Sequence, residues 1–336
     1  MTPAAQADHP LLNDPRDRPL LVLIILASMA ILPFAALLYT PGMFSWPLGV
    51  LYLIMISAVF LDRLILMLHN TSHRPLFKNR YRWLNNYVPW VLGPFFGETP
   101  ESYFAHHVGM HHVEENLMAD LSSTMPYQRD RALDFLRYFF RFISRGIAEL
   151  VGYFTRKRRF KLRARLLKGE TLYWIVVAGL LFVNWRATVV VFVFPPFAVR
   201  FLMMAGNWGQ HAFIDAATPE VPFRSSITCL APRYNRRCFN DGYHIGHHVS
   251  ATRHWSEMPE DFESNRAQYA RERAIVFKDI DYFGVWWLLM WRSYGRLARH
   301  YVALAEPRPS EGEIIALLRE RARAFPDSLN QAQAQA

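Results

Sequence analysis

The chain has 336 residues and a formal net charge of +10, and 52% of its residues are hydrophobic and 15% aromatic. A basic chain this rich in apolar residues is unusual among soluble proteins of one or two domains, and its apolar residues are gathered into long runs. The composition therefore favours an integral membrane protein. Residues 1–17 are polar and lack both the apolar core and the cleavage site of a secretory signal, so we predict a disordered cytoplasmic start.

The first two apolar runs predict a helical hairpin through the bilayer. Residues 20–38 carry no charge, and residues 48–68 are interrupted by charges only near their end, at Asp62 and Arg63. At about 1.5 Å per residue, a helix of this length crosses a hydrocarbon core of about 30 Å. We expect the second helix to leave the membrane near Asp62 and to continue as a stalk.

A second apolar pair, residues 172–185 and 187–205, predicts two further spans. The first member is short and the second contains Pro195, Pro196 and Arg200, so we expect a kinked helix that neighbouring helices support. The predicted fold class is an all-α integral membrane protein with four transmembrane helices in two hairpins.

The distribution of basic residues predicts the orientation. Residues 129–168 contain thirteen Lys and Arg and three acidic residues, an excess of ten that equals that of the whole chain. By the positive-inside rule this segment is cytoplasmic, and an even number of crossings places residues 69–170 and 206–336 on the same side. We predict a membrane domain at residues 18–300 with a histidine-rich cytoplasmic cap, formed by 69–170 and 206–300, in a bacterial-type inner membrane.

Two smaller features complete the predicted organisation. The basic run Thr155–Arg165 could bind nucleic acid, but the flanks of membrane helices commonly have this composition, so we predict contact with anionic lipid and none with nucleic acid. Residues 301–336 predict a tail with one short helix, because Ser310 and Glu313 form a capping-box pattern before an apolar run. We expect the final Q-A-Q-A-Q-A to be disordered.

Four histidine-rich motifs lie in the predicted cytoplasmic segments. They read H-N-T-S-H, H-V-G-M-H-H, N-W-G-Q-H and N-D-G-Y-H-I-G-H-H, and their histidines are His69, His73, His107, His111, His112, His211, His244, His247 and His248. Residues three and four apart are neighbours on a helix, so each motif would present its polar side chains on one side of a turn. The topology does not use the histidines, so their arrival on one side of the membrane is an independent agreement.

The nine imidazoles predict a site for two metal ions. One metal takes four to six ligands, and imidazole suits zinc, copper, iron or nickel. A closed structural zinc site uses four ligands and usually cysteines, which would leave five histidines unexplained. Hydrolytic zinc is disfavoured because the chain has no H-E-x-x-H motif.

In their order, and around two helical hairpins, the four motifs resemble those of the membrane-bound fatty acid desaturase and hydroxylase superfamily over roughly residues 20–295. The resemblance implies a non-haem di-iron centre that activates O2, with two electrons delivered by an external ferredoxin- or rubredoxin-type protein. It implies that the nine histidines are iron ligands and that Asn207 approaches one iron through a water molecule. The substrate would be a fatty acyl chain, presented as a carrier-linked acyl group, a phospholipid or a free acid.

Carboxylates are expected around the imidazoles, because metal-binding histidines commonly donate their second ring nitrogen to such a group. Asp215 is the candidate that its spacing favours, since it lies four residues after His211. Glu115 and Asp241 are the next candidates.

The motifs favour one reaction within the superfamily and leave others open. The Asn240, Gly242 and Tyr243 frame before the last motif, together with H-W-S-E-M-P from His254, looks more like acyl desaturases. Alkane monooxygenases typically carry a glutamate where this chain has Gln210. The fatty acid decarboxylases that form 1-alkenes share the motifs and are not separated by them. A non-enzymatic membrane protein that stores metal is disfavoured, because storage does not need ligands from four distant segments.

Overall fold

The computed structural model describes residues 8–325, and most of them are helical. The α-helices up to the middle of the chain are α1 (Arg18–Tyr39), α2 (Trp46–Met55), α3 (Leu61–His73), α4 (Gly93–Phe96), α5 (Ser102–His106), α6 (His112–Glu114), α7 (Ala132–Arg156), α8 (Phe160–Thr188) and α9 (Phe194–Gln210). Those that follow are α10 (Pro222–Ser225), α11 (Pro232–Arg237), α12 (His244–Val249), α13 (Met258–Ser264), α14 (Arg266–Arg271), α15 (Tyr282–Met290), α16 (Tyr294–His300) and α17 (Glu311–Arg321).

Shorter elements connect or extend these helices. Four are π-helical turns, Ile56–Phe60, Val88–Leu92, His107–His111 and Val189–Val193, and three are 3-10 turns, Pro15–Asp17, Asn79–Asn86 and Trp255–Glu257. Two strands, β1 (Ile227–Leu230) and β2 (Ile275–Lys278), pair in parallel with Ile227 opposite Ile275. The predicted helical character is confirmed. The sequence does not predict the two strands, because a run of four residues is too short to show a clear strand periodicity.

The described residues form two compact units. The first comprises the residues up to Val108 together with Tyr153–Arg200, and the second comprises Gly109–Gly152 and the residues from Phe201 onward. The sequence instead predicts one membrane domain over residues 18–300. In the second unit, β1, β2, α15 and α16 share a buried core with α17.

Within residues 8–325, three helical runs are long and apolar enough to cross a membrane: Pro15–Tyr39, Trp46–His73 and Phe160–Gln210. The first two coincide with the predicted hairpin. Pro33 lies inside α1, and the second run continues through a π-helical turn into α3, whose last two turns carry the first two histidines. Outward side chains such as Met29, at 71% exposure, are apolar, as lipid contact requires.

The third run bends back on itself at Asn184, the one residue with non-helical backbone angles inside α8 (φ −156°, ψ 92°). The Tyr173 hydroxyl donates to the carbonyl of Phe192, and the Arg200 guanidinium lies 3.5 Å from the Glu170 carboxylate. On a straight helix Tyr173 and Phe192 would be roughly 28 Å apart. The run therefore has two limbs that meet at Asn184, close to the boundary that the sequence predicts between its second pair of apolar segments.

Both ends of the described chain are more ordered than the sequence predicts. Leu12 is fully buried and pairs with Phe77 through an isolated antiparallel bridge, and Asp14 forms an ion pair with Arg74 at 3.2 Å. Such single contacts leave no periodic signal in a polar segment. Residues 1–7, part of the predicted disordered start, lie outside the described residues.

The capping box at the start of α17 is confirmed, with the Ser310 hydroxyl accepting from the Glu313 amide and the Glu313 carboxylate accepting from Ser310. The helix is not an isolated tail, because Ile314 and Leu318 are buried against the core formed with α15 and α16. The predicted disordered Q-A-Q-A-Q-A lies outside the described residues.

Three buried carboxylates lie near one another, Glu98 and Glu101 between α4 and α5 and Glu170 in α8, and among the described residues Glu98 forms no ion pair. Glu101 pairs with Arg165 at 2.6 Å, and Glu170 pairs with Arg200. Glu98 is 4% exposed, and its closest hydrogen-bonding neighbour is the Ser102 hydroxyl at 3.5 Å. Burial, opposed by nearby Arg200 and reinforced by Glu170, raises the pKa of Glu98 to about 7.

We expect Glu98 to make the protein less stable as the pH rises. Because its pKa is raised in the folded state, the stability that it contributes is complete below pH 4.5 and is lost as the pH rises towards 7. Glu98→Gln should remove this loss, so the variant should exceed the wild type at pH 8 by roughly 3 kcal/mol. Thermal unfolding of both proteins in detergent between pH 5 and 8 measures the difference.

The exposed Glu220→Gln variant is the control, because it should keep the slope of the wild type. Parallel curves for Glu98→Gln and the wild type would show that Glu98 is ionised throughout this range.

Candidate metal centre

The last histidine motif forms α12, and contacts with the preceding loop fix its start. A Cβ atom on Gly242 would lie 2.2 Å from both Asn235 Oδ1 and the Cys229 carbonyl oxygen, so only glycine fits there. The Tyr282 hydroxyl donates to the Gly242 carbonyl at 2.7 Å and accepts from the His244 amide at 3.3 Å. His244, His247 and His248 are all buried.

The end of α9 supplies the second part of the site. His211 directly follows this helix and is fully buried, and its Nδ1 atom lies 2.9 Å from the Ser225 carbonyl oxygen. A carbonyl can only accept, so Nδ1 carries the ring proton and Nε2 is left with a lone pair. Asn207, one turn earlier, donates its side-chain amide to the Ser122 carbonyl at 3.0 Å and to the Tyr138 hydroxyl at 2.8 Å.

The second motif is π-helical from His107 to His111 and continues into α6 at His112. The Nδ1 atom of His111 lies 2.6 Å from Asp120 Oδ2. Asp120 also accepts hydrogen bonds from the backbone amide of Asn116 and from the backbone amide and hydroxyl of Ser122. Its carboxylate therefore acts as an acceptor, and the Nδ1–H group of His111 donates to it. His111 is thereby turned so that its Nε2 lone pair is available for a metal.

The imidazoles of the second unit converge. Ligand atoms of His111, His211 and His248 all lie within 4.8 Å of one another. The Nε2 atom of His244 is 3.3 Å from that of His211 and 3.0 Å from that of His248, and the Nε2 atoms of His112 and His247 are 2.9 Å apart. Two nitrogens bound about 2.1 Å from one cation, at roughly a right angle, would be about 3.0 Å apart.

Protonation does not account for this arrangement. Burial, with the neighbouring His111 as the second cause, lowers the pKa of His211 to about 3, and burial also lowers the pKa of His248 well below its usual value. The rings of His211 and His248 are therefore uncharged at neutral pH. A single N–H on His244 can satisfy at most one of its two neighbours, so the remaining lone pairs face each other unless a cation lies among them. The donor set fits a bound metal.

The remaining three histidines form a group in the first unit. His69 and His73 lie one turn apart at the end of α3, as the sequence predicts, and His107 is the first residue of the π-helical turn. Their ring centroids are 4.5 to 5.4 Å apart, and their ligand atoms lie within 4.8 Å of one another. Such a group can also supply several nitrogens to a metal.

The predicted carboxylate partners Asp215 and Asp241 bind groups other than the clustered imidazoles, and Glu115 lies near His111. Asp215 forms an ion pair with Arg321 at 2.9 Å, because α9 ends at Gln210 and a residue four positions after His211 no longer lies alongside it. Asp241 accepts from the Tyr234 hydroxyl at 2.6 Å. Glu115 is partly buried near His111, and this burial raises its pKa.

The sequence does not predict that Asp120 and the Ser225 carbonyl are the hydrogen-bond partners of His111 and His211. Asp120 lies nine residues after His111 in a loop that contains no histidine, and a backbone carbonyl has no signature in the sequence. Two histidines outside the motifs have other partners: His300 Nδ1 lies 2.8 Å from the Lys278 carbonyl, and His254 Nδ1 lies 2.7 Å from the Ser256 hydroxyl.

Apolar helices long enough to span a bilayer, together with histidine groups that could hold a metal ion, define the class of this chain as a histidine-rich membrane protein with candidate metal sites. The family model described as "Fatty acid desaturase" matches residues 44–279, a segment that contains all nine clustered histidines. The chain belongs to the fatty acid desaturase family, which confirms the resemblance seen in the motifs. Comparisons with curated proteins and with solved structures gave no match.

Asp120→Asn should weaken metal binding, because a neutral amide oxygen accepts the hydrogen bond from His111 Nδ1 more weakly than the Asp120 carboxylate does. We expect metal affinity to fall by about 10- to 100-fold, the usual effect of losing such a partner. Asp215→Asn should retain the affinity of the wild type. Titration of the metal-free proteins with Co2+ against a competing chelator measures both. An equal loss in the two variants would show that the His111 contact has no special role.

Proposed function

We propose that the protein is an O2-dependent membrane fatty acyl desaturase, which removes two hydrogens from an unactivated alkyl chain. The observation that carries this proposal is the convergence of buried imidazoles, with the Nδ1 atoms of His111 and His211 hydrogen-bonded to groups outside the shared space. Membership of the desaturase family supports the same chemistry.

In this proposal the nine clustered histidines supply the ligands of two iron ions, and Asn207 approaches one of them through a water molecule. An iron pair would supply the activation of O2, since a C–H bond remote from any functional group does not yield to acid–base catalysis. Each turnover would take two electrons and two protons, convert O2 to two water molecules and leave one carbon–carbon double bond. The electrons would come from an external ferredoxin- or rubredoxin-type protein.

The chain itself would orient and shield the reacting groups. Asp120 and the Ser225 carbonyl fix the tautomers of His111 and His211, so that each ring offers Nε2. His211 is fully buried and His111 is 3% exposed, which keeps bulk water from these ligands. The remaining task is to place one C–H bond of the acyl chain beside the metals, where position decides the rate and the site of reaction.

Desaturation is favoured over the neighbouring reactions by the last two motifs. Gln210 replaces the glutamate typical of alkane monooxygenases, and in the structure its side-chain amide lies 3.5 Å from Asp241 Oδ2. The Asn240, Gly242 and Tyr243 frame is of the acyl desaturase type. A hydroxylase, or a decarboxylase that forms 1-alkenes, would use the same ligands and is the alternative.

We further propose that the two apolar pairs form four crossings of a bacterial-type inner membrane, with the metal centre on the cytoplasmic side. The bend at Asn184 supports the second hairpin, and the basic residues 129–168 support the orientation. The basic surface would suit an anionic acyl donor, whether a carrier-linked acyl group, a phospholipid or a free carboxylate.

The topology predicts that the C-terminus is cytoplasmic. A C-terminal alkaline phosphatase fusion should therefore be silent, because this enzyme folds only outside the cytoplasm, whereas a C-terminal fluorescent protein should be bright. An active phosphatase fusion would mean that the number of crossings is odd, and the four-span arrangement would have to be abandoned.

The product identifies the reaction. Membranes containing the protein, supplied with reductase, ferredoxin, 18O2 and a mixture of saturated acyl donors, should yield an acyl chain two hydrogens lighter with all its carbons and no 18O. Mass spectrometry of the extracted lipids distinguishes this product from an 18O-labelled alcohol, which would indicate a hydroxylase, and from an alkene one carbon shorter, which would indicate a decarboxylase.

Two histidine variants serve as controls in this assay. His247→Ala should abolish the product and lower the iron content, since His247 belongs to the clustered set. His300→Ala should retain both, since its ring contacts the Lys278 carbonyl instead. Equal losses would contradict the assignment of the ligands, and a wild type that contains zinc and no iron would contradict the iron pair.

A further inference from the structure

Arg129 is a buried cation whose guanidinium donates its hydrogen bonds to backbone carbonyl oxygens. Its side chain is fully buried, and its guanidinium donates to the carbonyls of Ala212 (3.0 Å), Thr124 (3.1 Å), Arg321 (2.9 Å) and Arg323 (2.6 Å). Burial lowers its pKa to about 9, so it remains charged at neutral pH. The dipoles of these carbonyls therefore stabilise a charge that no carboxylate neutralises directly.

The four carbonyls belong to three segments that are far apart in the sequence. Thr124 lies in the loop that contains Asp120, and Ala212 directly follows His211. Arg321 is the last residue of α17, and Arg323 follows two residues later. The end of a helix presents carbonyl oxygens and a partial negative charge, which a cation stabilises. The planar guanidinium has several N–H donors that point in different directions, so it can contact all three segments at once. The ammonium group of a lysine is a compact point charge and lacks this geometry.

Other hydrogen bonds continue from this junction to the two fixed imidazoles. The Thr124 hydroxyl donates to the His211 carbonyl at 2.8 Å, and the Thr124 amide donates to Asn116 Oδ1 at 2.9 Å. The Asn116 amide in turn donates to Asp120, which contacts His111. The backbone that carries each ring is thus tied to the carbonyls that Arg129 contacts.

The C-terminal segment is a structural part of this junction. The Ile214 amide donates to the Arg321 carbonyl at 2.9 Å, the Arg129 amide donates to the Ala322 carbonyl at 2.8 Å, and the Phe325 amide donates to the Met125 carbonyl at 3.0 Å. Arg321, Ala322 and Phe325 lie beyond position 279, where the match to the family model ends. The segment after α17 therefore closes the junction from outside the region that carries the motifs.

We infer that Arg129, by joining the C-terminal end of α17 to the backbone at Thr124 and Ala212, is a positioning residue for the metal ligands His111 and His211. The inference rests on the proposed function only in taking these histidines as ligands. Without the guanidinium, the Asp120 loop and the end of α9 lose their common partner, and the two Nε2 atoms lose their fixed separation.

The test is Co2+ binding to the metal-free full-length protein, measured against a competing chelator, together with thermal unfolding of the same samples. In Arg129→Met we expect one of two bound ions to bind about 10- to 100-fold more weakly while the other keeps its affinity, because the effect should be confined to the ion that His111 and His211 bind. Arg129→Lys keeps the charge but not the fork, so it should give a smaller loss. Arg131→Met, the same substitution on an exposed arginine two residues away, should change neither ion.

Three results would overturn the positioning role: an unchanged affinity for both ions with a lower melting temperature, an equal loss at both ions, or an equal effect of Arg131→Met. If Arg129→Met does not fold, Arg129→Lys decides by the same criteria. The proposed function fails separately. A wild type that binds one Co2+ ion, with an affinity that still falls in the Arg129 variants, would remove the metal pair and leave the positioning role intact.

Discussion

The second unit depends on buried imidazoles whose Nε2 atoms lie 3.0 to 3.3 Å apart. Burial withdraws these nitrogens from water, and a buried polar group without a partner costs roughly 1–3 kcal/mol. Protonation would replace this cost with like-charge repulsion, which is one reason why the pKa of His248 is lowered. A cation satisfies several lone pairs at once, so metal binding and the stability of this core are linked.

Groups outside the motifs fix the direction in which the imidazoles point. Asp120 and the Ser225 carbonyl accept hydrogen bonds from the Nδ1–H groups of His111 and His211, and the tight approach of Gly242 to the Cys229 carbonyl sets the start of α12. The carboxylate comes from the loop between α6 and α7, and the carbonyl comes from the last residue of the four-residue helix α10.

Buried charges are stabilised in two different ways. Arginines lie beside carboxylates in both units, as Arg200 does beside Glu170 and Arg321 beside Asp215, whereas burial raises the pKa of Glu98 to about 7. In the second unit, Arg129 relies on carbonyl dipoles from three segments. The raised pKa of Glu98 makes the stability of the protein depend on pH. The hydrogen bonds of Arg129 make stability depend on the backbone conformation around His211.

The sequence by itself determined the helical class, the apolar hairpins, the capping box of α17 and the nine histidines, because each is encoded in local spacing or composition. It also predicted a turn near residue 185, where the structure bends at Asn184. Only the tertiary structure decided which groups meet the histidines. Asp215 appeared suitable because i and i+4 are neighbours on a helix, but α9 ends before His211, whereas Asp120 reaches His111 from a loop. The role of Arg129 was equally invisible, since its partners are backbone carbonyls up to 194 positions away and every residue has a carbonyl.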